Sequence, residues 1–406
     1  VTRRDEPNRK AVYATALAAF LGIAGIGVVD PILPVIGAEI GVSAWQVELL
    51  FTAYIAVMAL GMIPAVLASG RWGHKRVLLG GVAVVGVAAI AASFSRNIVQ
   101  LAALRGVWGL GNAMFFATAL VVMVALARDR EWVVGLFETA LGLAFAVGPL
   151  IGGLLGEVSW RLPFFACGVL MLVALAVAAT RLREPAAGRP PVRLREIAAT
   201  FRRPAFVALC LVTAAYNFVF FIVLGYTPLF LHLSAVPLGL AFAGWGIGLA
   251  TGILGVGHRL AHRIGAVRTL GVALAGLLGC LVLFARSEGV VGAVAVLVVS
   301  GLCMGLANAN LTDLALGLGS ADRSVATGAF NLVRWGAAAP APVIAGKLAE
   351  HGPALPYWLG TVVLAAGGAV FLVSARRMAA GCGERVPSAR WSRAAHRVEG
   401  APAKIS

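Results

Sequence analysis

Charge is scarce in this chain. Only 12% of its 406 residues are Asp, Glu, Lys or Arg, against roughly 25% in a typical soluble domain. So few charges cannot cover the surface of a soluble protein this long. There are five Cys. Cys167, Cys210, Cys280 and Cys303 fall in apolar runs, and Cys382 lies near the end. With no C-x-x-C and no His/Cys cluster, neither a disulfide framework nor a metal site is supported. The six His are scattered. His258 and His262 are four apart but sit in a basic loop. No G-x-x-x-x-G-K-[ST] occurs, so ATP-driven chemistry on this chain is unsupported. A membrane enzyme would want a His-rich or Asp-rich constellation at a membrane face, and none is present. The chain reads as a non-enzyme with no cofactor and no metal.

What is abundant is apolar length. Hydrophobic residues make up 60% of the chain, in runs mostly long enough to span a bilayer, which takes roughly 20 residues. Twelve spans are expected: 11–36, 43–69, 77–95, 98–126, 132–157, 161–180, 205–231, 237–257, 267–286, 289–317, 324–350 and 355–375. The first follows RRDEPNRK and continues through Asp30 and Pro34, longer than a signal peptide's apolar region, so an uncleaved first helix is expected. The net charge of +16 raises the question of nucleic acid, and its placement answers it. With the N-terminus inside, 27 of the 33 Lys and Arg fall in cytoplasmic pieces. Arg96, Arg161, Arg286 and Lys347 fall outside, and Arg105 and Arg334 within spans. This positive-inside bias places the chain in the cell inner membrane with both termini cytoplasmic, its basic loops facing anionic lipid rather than nucleic acid.

The stretch RLREPAAGRPPVRLREIAATFRRP (181–204) is the longest polar interruption before the tail. It reads as a linker, with a short amphipathic helix in VRLREIAATFRR. The expected organisation is a six-helix bundle (1–180), a linker (181–204), a second six-helix bundle (205–376) and a disordered cytoplasmic tail (377–406). The halves repeat at a near-constant offset. Gly135 and Gly328, Phe137 and Phe330, Pro149 and Pro342, and Gly153 and Gly346 are each 193 apart. SGRWG (69–73) matches AHRIG (261–265), and GLGNA (109–113) matches GLANA (305–309). Parallel six-helix repeats of this kind are a transporter architecture, with the site at the midplane between halves.

The run GLAFAVGPLIGG (142–153) combines glycines with a central Pro, costly in water but suited to close helix contact in lipid through small-xxx-small spacing such as Gly148 to Gly152. Pro149 frees a backbone carbonyl and sets a bend. Ionisable groups within spans cost roughly 2.5–3.5 kcal/mol each and need a reason. By a rise of 1.5 Å per residue, Asp30 lies roughly 9 Å and Arg105 roughly 10 Å from the outer ends of their helices, and Arg334 about 15 Å into its own. Glu138 and Asp313 lie nearer the cytoplasmic ends of the fifth and tenth spans, suited to relaying a proton or holding the halves together. Asp313 is also a candidate structural partner for Arg334. Glu48 opens the second span near the outer surface and reads as interfacial. Arg105, Trp108, Asn112 and Phe116 share one helix face and suit a cavity wall better than a lipid face. Asn308 is the repeat counterpart of Asn112. Tyr216, Asn217 and Phe220 on the seventh span, Tyr54 on the second and Asn331 on the eleventh complete the candidate cavity. Its aromatics suit flat or cationic ligands.

These motifs resemble those of the major facilitator superfamily over about residues 10–376, and within it the drug:proton antiporter type. GPLIGG (Gly148, Pro149, Gly152 and Gly153 among its residues) resembles the motif that marks antiporters. LRGVWGLG (104–111) resembles the motif whose Arg is implicated in proton coupling, a role that would fall on Arg105. DPILP (30–34) resembles the end of the first helix in drug exporters, where an acidic residue carries protons or binds cationic drugs. WRLPF (160–164) also fits. In VLASGRWGHKR (66–76), Arg71, Gly73, Lys75 and Arg76 match the family's cytoplasmic gating loop. Gly70 stands where the family has an Asp that helps latch the cytoplasmic side, and His262 stands there in the second half.

The resemblance implies twelve helices in two pseudo-symmetric bundles, with helices one and four lining the cavity. It therefore implies that Asp30 and Arg105 face each other or share a substrate. The expected function is a proton-coupled secondary transporter, acting as a monomer, that exports a small hydrophobic or amphipathic molecule by alternating access. Asp30, Arg105, Glu138, Asp313 and Arg334 are the proton-coupling candidates. Uptake or lipid movement by the same fold, or a non-transporting membrane receptor, are the alternatives.

Overall fold

The computed structural model describes residues 9–126, 130–182, 199–319 and 323–381. Among them every regular element is a helix, and eleven segments are long and apolar enough to cross a membrane. α1 (Arg9–Gly27), a 3-10 turn (Asp30–Ile32) and α2 (Leu33–Ile40) form the first span. α3 (Ala44–Trp72), α4 (His74–Ser93), α5 (Ile98–Leu126), α6 (Arg130–Gly156) and α7 (Arg161–Arg181) follow. The second set is α8 (Pro204–Leu231), α9 (Ala235–Thr251) running through a π turn (Gly252–Val256) into α10 (Gly257–Ile264), α11 (Ala266–Ala285) and α12 (Val290–Leu318). α13 (Arg323–Ala338), α14 (Ala341–Ala349) and α15 (Leu355–Gly381) complete it. Large apolar side chains on these helices point outward, such as Val373 (84% exposed), Leu372 (76%) and Leu60 (73%). In water that surface would be untenable; against lipid it is the expected exterior. The chain is a multi-pass membrane protein.

Three expectations change. The expected eleventh span, 324–350, is two helices. Pro340 and Pro342 supply no N–H to the Gly336 and Ala338 carbonyls, so the ladder fails and α14 restarts beyond the turn. The first span is likewise interrupted. Pro31 and Pro34 remove two donors, the chain tightens so that the Val29 N–H meets the Ile26 carbonyl, and Asp30 opens the 3-10 turn. The last helix runs to Gly381, five residues past the expected end of the second bundle. The tail beyond it and most of the 181–204 linker lie outside the described residues.

Gly73 and Gly265 make the repeat visible in the backbone. Each ends one span and starts the next, with φ 89° and ψ 153° in the first and φ 92° and ψ 152° in the second. That positive φ favours glycine, which explains why SGRWG and AHRIG agree at this residue. These two turns mark one end of the molecule, the Gly73 end. The turn at Gly41 (φ 72°) marks the other, the Gly41 end.

Spans one to six pack chiefly on one another, as do seven to twelve, with the first and seventh the most enclosed. The two sets meet along two related seams: α6 against α9, and α3 against α13 and α14. Close backbone approach builds both. A Cβ on Gly148 would come within 2.9 Å of the Ala24 carbonyl, and one on Gly152 would strike the Val28 carbonyl, so this face of α6 lies on α1. A Cβ on Gly153 would lie 2.5 Å from the Ala235 carbonyl, so the adjacent face lies on α9. The repeat partner of Gly153 is Gly346, and its Cβ would lie 2.6 Å from the Trp45 Cα. Each of these paired glycines thus meets the first turn of a helix in the opposite set. Pro149 leaves the Phe145 carbonyl without its helical donor, and Gly246 of α9 comes up against that carbonyl.

Gly152→Val should therefore cost stability, by about 1–3 kcal/mol for an overpacked contact. Gly135, which has open space around it, should accept Ala without loss. Thermal unfolding in detergent checks this: Gly152→Val should lower the midpoint and Gly135→Ala should not.

Candidate functional site

The break in the first span sets up the polar centre of the first half. Because the Val29 N–H turns to Ile26, the Gly25 carbonyl is left without its usual helical donor. Arg105 of α5 takes it, Nη1 donating at 3.1 Å. The guanidinium lies over the rings of Tyr54 (4.6 Å) and Trp108 (4.8 Å), a stacking mode that suits its planar charge. Two turns along α5, Asn112 donates through Nδ2 to the Tyr54 hydroxyl (2.6 Å) and to the Gly22 carbonyl (3.1 Å). Gly25 leaves the space that Trp108 fills, since a Cβ there would sit 2.5 Å from the Trp108 ring. Phe164 closes the far edge of the indole. Arg105, Trp108, Asn112 and Tyr54 are all fully buried between the first, second and fourth spans.

This centre is not fully satisfied. Arg105 Nε and Nη2, Trp108 Nε1, Asn112 Oδ1 and both carboxyl oxygens of Asp30 are buried without a hydrogen-bond partner. Asp30 and Arg105 were expected to face each other. They lie within electrostatic reach, but no hydrogen bond joins them, because Arg105 reaches the Gly25 carbonyl instead. Buried polar groups left this way are rare in proteins and cluster where water, ions or ligands act.

The second half carries a looser counterpart. Arg334 of α13 donates through Nη2 to Asn308 Oδ1 (2.7 Å) and through Nε to Asn217 Oδ1 (3.4 Å), with Trp335 alongside. Tyr216 donates its hydroxyl to the Met304 carbonyl (2.8 Å). Phe220 meets Phe145 of α6 and Trp245 of α9, so this aromatic group bridges the two halves. Phe116 packs on Phe137 and Asn331 is half-buried on α13. Asp313 is exposed on α12. Glu138 lies on α6, with its side chain outside the described residues. Around the turn at Gly73, Arg71 and Arg76 are exposed and Lys75 is half-buried.

One residue departs from its expected place. Glu48 is not interfacial: it is 0% exposed, with both carboxyl oxygens unpartnered. The signal was present in the sequence. Trp45, Glu48 and Phe51 recur every three residues, so the acid shares a helix face with two aromatics. Spans that begin near a membrane surface hide such a pattern when judged by depth alone.

The profile of the family described as "Major Facilitator Superfamily" matches residues 15–342. The chain belongs to the major facilitator superfamily. It is similar to the "Multidrug efflux protein YfmO" of Bacillus subtilis (strain 168), 37% identical over 375 residues, which is 91% of this chain and 94% of that one. It is also similar to the "Quinolone resistance protein NorA" of Staphylococcus aureus (strain MRSA252), 26% identical over 179 residues, 43% of this chain and 46% of that one. Among solved structures, a bacterial homologue of the human lysosomal transporter Spinster superposes with a TM-score of 0.74 at 16% identity, covering 95% of this chain and 100% of that one. The human organic anion transporter MFSD10 (TETRAN) superposes with a TM-score of 0.69 at 18% identity, covering 92% and 100%. These two share the major facilitator fold: twelve spans in two pseudo-symmetric bundles. As a superfamily member the chain is a transporter of small molecules, not an enzyme.

Asn112 is the hinge of the local network. Asn112→Ala removes two buried hydrogen bonds and strands the Tyr54 hydroxyl, at a cost of about 1–3 kcal/mol. A lowered unfolding midpoint in detergent is expected, and an unchanged midpoint contradicts the assigned bonds.

Proposed function

We propose that the protein is a proton-coupled exporter of a small hydrophobic or amphipathic compound, working as a monomer by alternating access between the bodies 1–180 and 205–376. The polar centre around Asp30 and Arg105 carries this reading. A carboxyl and a guanidinium, both fully buried and both with unsatisfied atoms, stand close without pairing. Such an arrangement is costly in a purely structural helix and useful in an exchanger. A cation or a proton on Asp30 relieves the same unsatisfied carboxyl, so the two compete for it. The shared aromatic group of Phe145, Phe220 and Trp245 offers apolar and π surface for the cargo where the halves meet. The similarity to a protein named for multidrug efflux favours export. Arg334, held by two amide oxygens, serves as the fixed cation of the second half, with Asp313 and Glu138 toward the Gly73 end. The charge distribution favours an inner-membrane location with the Gly73 end and both termini cytoplasmic.

The test is flux in proteoliposomes under an imposed pH gradient. Asp30→Asn and Arg105→Ala should each abolish gradient-driven flux while the variants remain folded. Flux unchanged in both overturns the coupling pair.

A further inference from the structure

Glu48 stands in the seam, within electrostatic reach of Asp30 at the edge of the polar centre. Three residues of α3, one turn apart, face the opposite half. Trp45 meets Gly346 of α14, Glu48 meets Gly225 of α8, and Phe51 meets Phe221 of α8 at 6.5 Å between ring centres. Gly225 is the shaped half of the middle contact. A Cβ there would come within 2.5 Å of Glu48 Oε2 and 3.2 Å of Oε1, so any larger residue would push the carboxyl aside. The carboxyl is closed in from both sides along the helix by aromatic contacts and accepts no hydrogen bond.

The related seam shows that sealing does not need an acid. There Gly153 meets Ala235 as Gly346 meets Trp45. α9 carries no ionisable residue, and Leu238 is fully buried there. That seam closes without an acid, so a carboxyl in the other is surplus to closure. An unpaired carboxylate there is strongly disfavoured against the neutral acid. Among the described residues no neighbour compensates it. Asp30 in the 3-10 turn and Tyr226 of α8 lie within electrostatic reach, and neither brings a positive charge. The cations on adjoining helices are engaged elsewhere: Arg105 with the Gly25 carbonyl, Arg334 with Asn308, and Lys347 of α14 over the Trp45 ring at 5.1 Å. Glu39 of α2 is exposed and 4.0 Å from Arg161, and the basic residues that open α4 lie at the Gly73 end.

We propose that Glu48 is a proton-binding residue of the seal: the Gly41 end closes with a proton on Glu48, and opening that end hydrates the carboxyl and releases the proton. Gly225 is the receptor for the neutral carboxyl. Closure then takes up one proton on Glu48 besides whatever Asp30 binds; Asp30 lies within electrostatic reach, so its charge moves the midpoint of this uptake but not its stoichiometry. This rests on the alternating-access reading but not on coupling through Asp30, and the two are read by different experiments.

The experiment is a pH titration of the spin-label distance between Val158→Cys and Val291→Cys, exposed positions of opposite halves at the Gly41 end. It is made in lipid nanodiscs, without substrate or gradient, in a chain whose five native cysteines are replaced. In the parent, the ratio of short to long distances should fall with rising pH, by at most about tenfold per unit, the limit for one proton. Glu48→Gln should hold the short distance across the range, while Asp30→Asn should keep the slope. A slope kept in Glu48→Gln, or no slope in the parent, overturns the proposal. Gly225→Ala provides a second reading if Glu48→Gln folds poorly. Its added methyl displaces the carboxyl and should favour the long distance, and combining it with Glu48→Ala should restore the short one. Long distances that persist in the double variant overturn the Gly225 slot.

Discussion

Helix α6 touches both halves of the molecule through its backbone. Gly148 lies on α1 and Gly152 on the Val28 carbonyl just past its end, while Gly153 lies on α9 one residue further round the helix. Lipid offers no hydrophobic driving force between helices, so association depends on close van der Waals approach, and small residues permit it. The same device recurs at Gly346 against α3. The two seams are therefore alike in construction, and each joins a helix of one half to a helix of the other through close backbone approach at a glycine. Contacts of this kind slide and part more readily than knobs set in holes, which is what two bodies rocking about a shared site require.

The polar groups follow from the same geometry. Prolines at 31 and 34 break the first span, and the break releases the Gly25 carbonyl that Arg105 occupies. Arg105 is thereby held away from Asp30, and the acid is left unsatisfied. A second acid, Glu48, is unsatisfied for a different reason, being pressed into the seam opposite a glycine. The local backbone decides the state of the first and the meeting of the halves decides the state of the second.

Much of this was legible beforehand. Twelve apolar runs, the near-constant offset between halves and the Gly-Pro-rich fifth span identify the fold, because length, repetition and small-residue spacing are properties of the sequence itself. Gly73 and Gly265 were matched by letter, and their shared positive φ explains the match. The break at Ala339–Pro340 was harder to see, since one apolar run covers two helices and composition does not register a lost N–H donor. The burial of Glu48 escaped a depth argument because depth measures distance along one helix and not what another helix brings against it. Asp30 and Arg105 do lie near each other, as sequence spacing placed them at one depth; what spacing could not show is that an acceptor freed at Gly25 takes the guanidinium hydrogen bond.

The central claim is that the α6–α9 seam at the Gly41 end opens during turnover. A Cβ at Gly156 would lie 3.8 Å from the Ala235 Cβ, the mean separation found in disulfides; it would also strike Ile32 Cγ2, so the pair is made together with Ile32→Ala. A Gly156→Cys/Ala235→Cys pair, in a chain lacking its native cysteines, should therefore cross-link on mild oxidation. Substrate flux in proteoliposomes should stop in the oxidised protein and return on reduction. Undiminished flux through fully cross-linked protein would contradict the account.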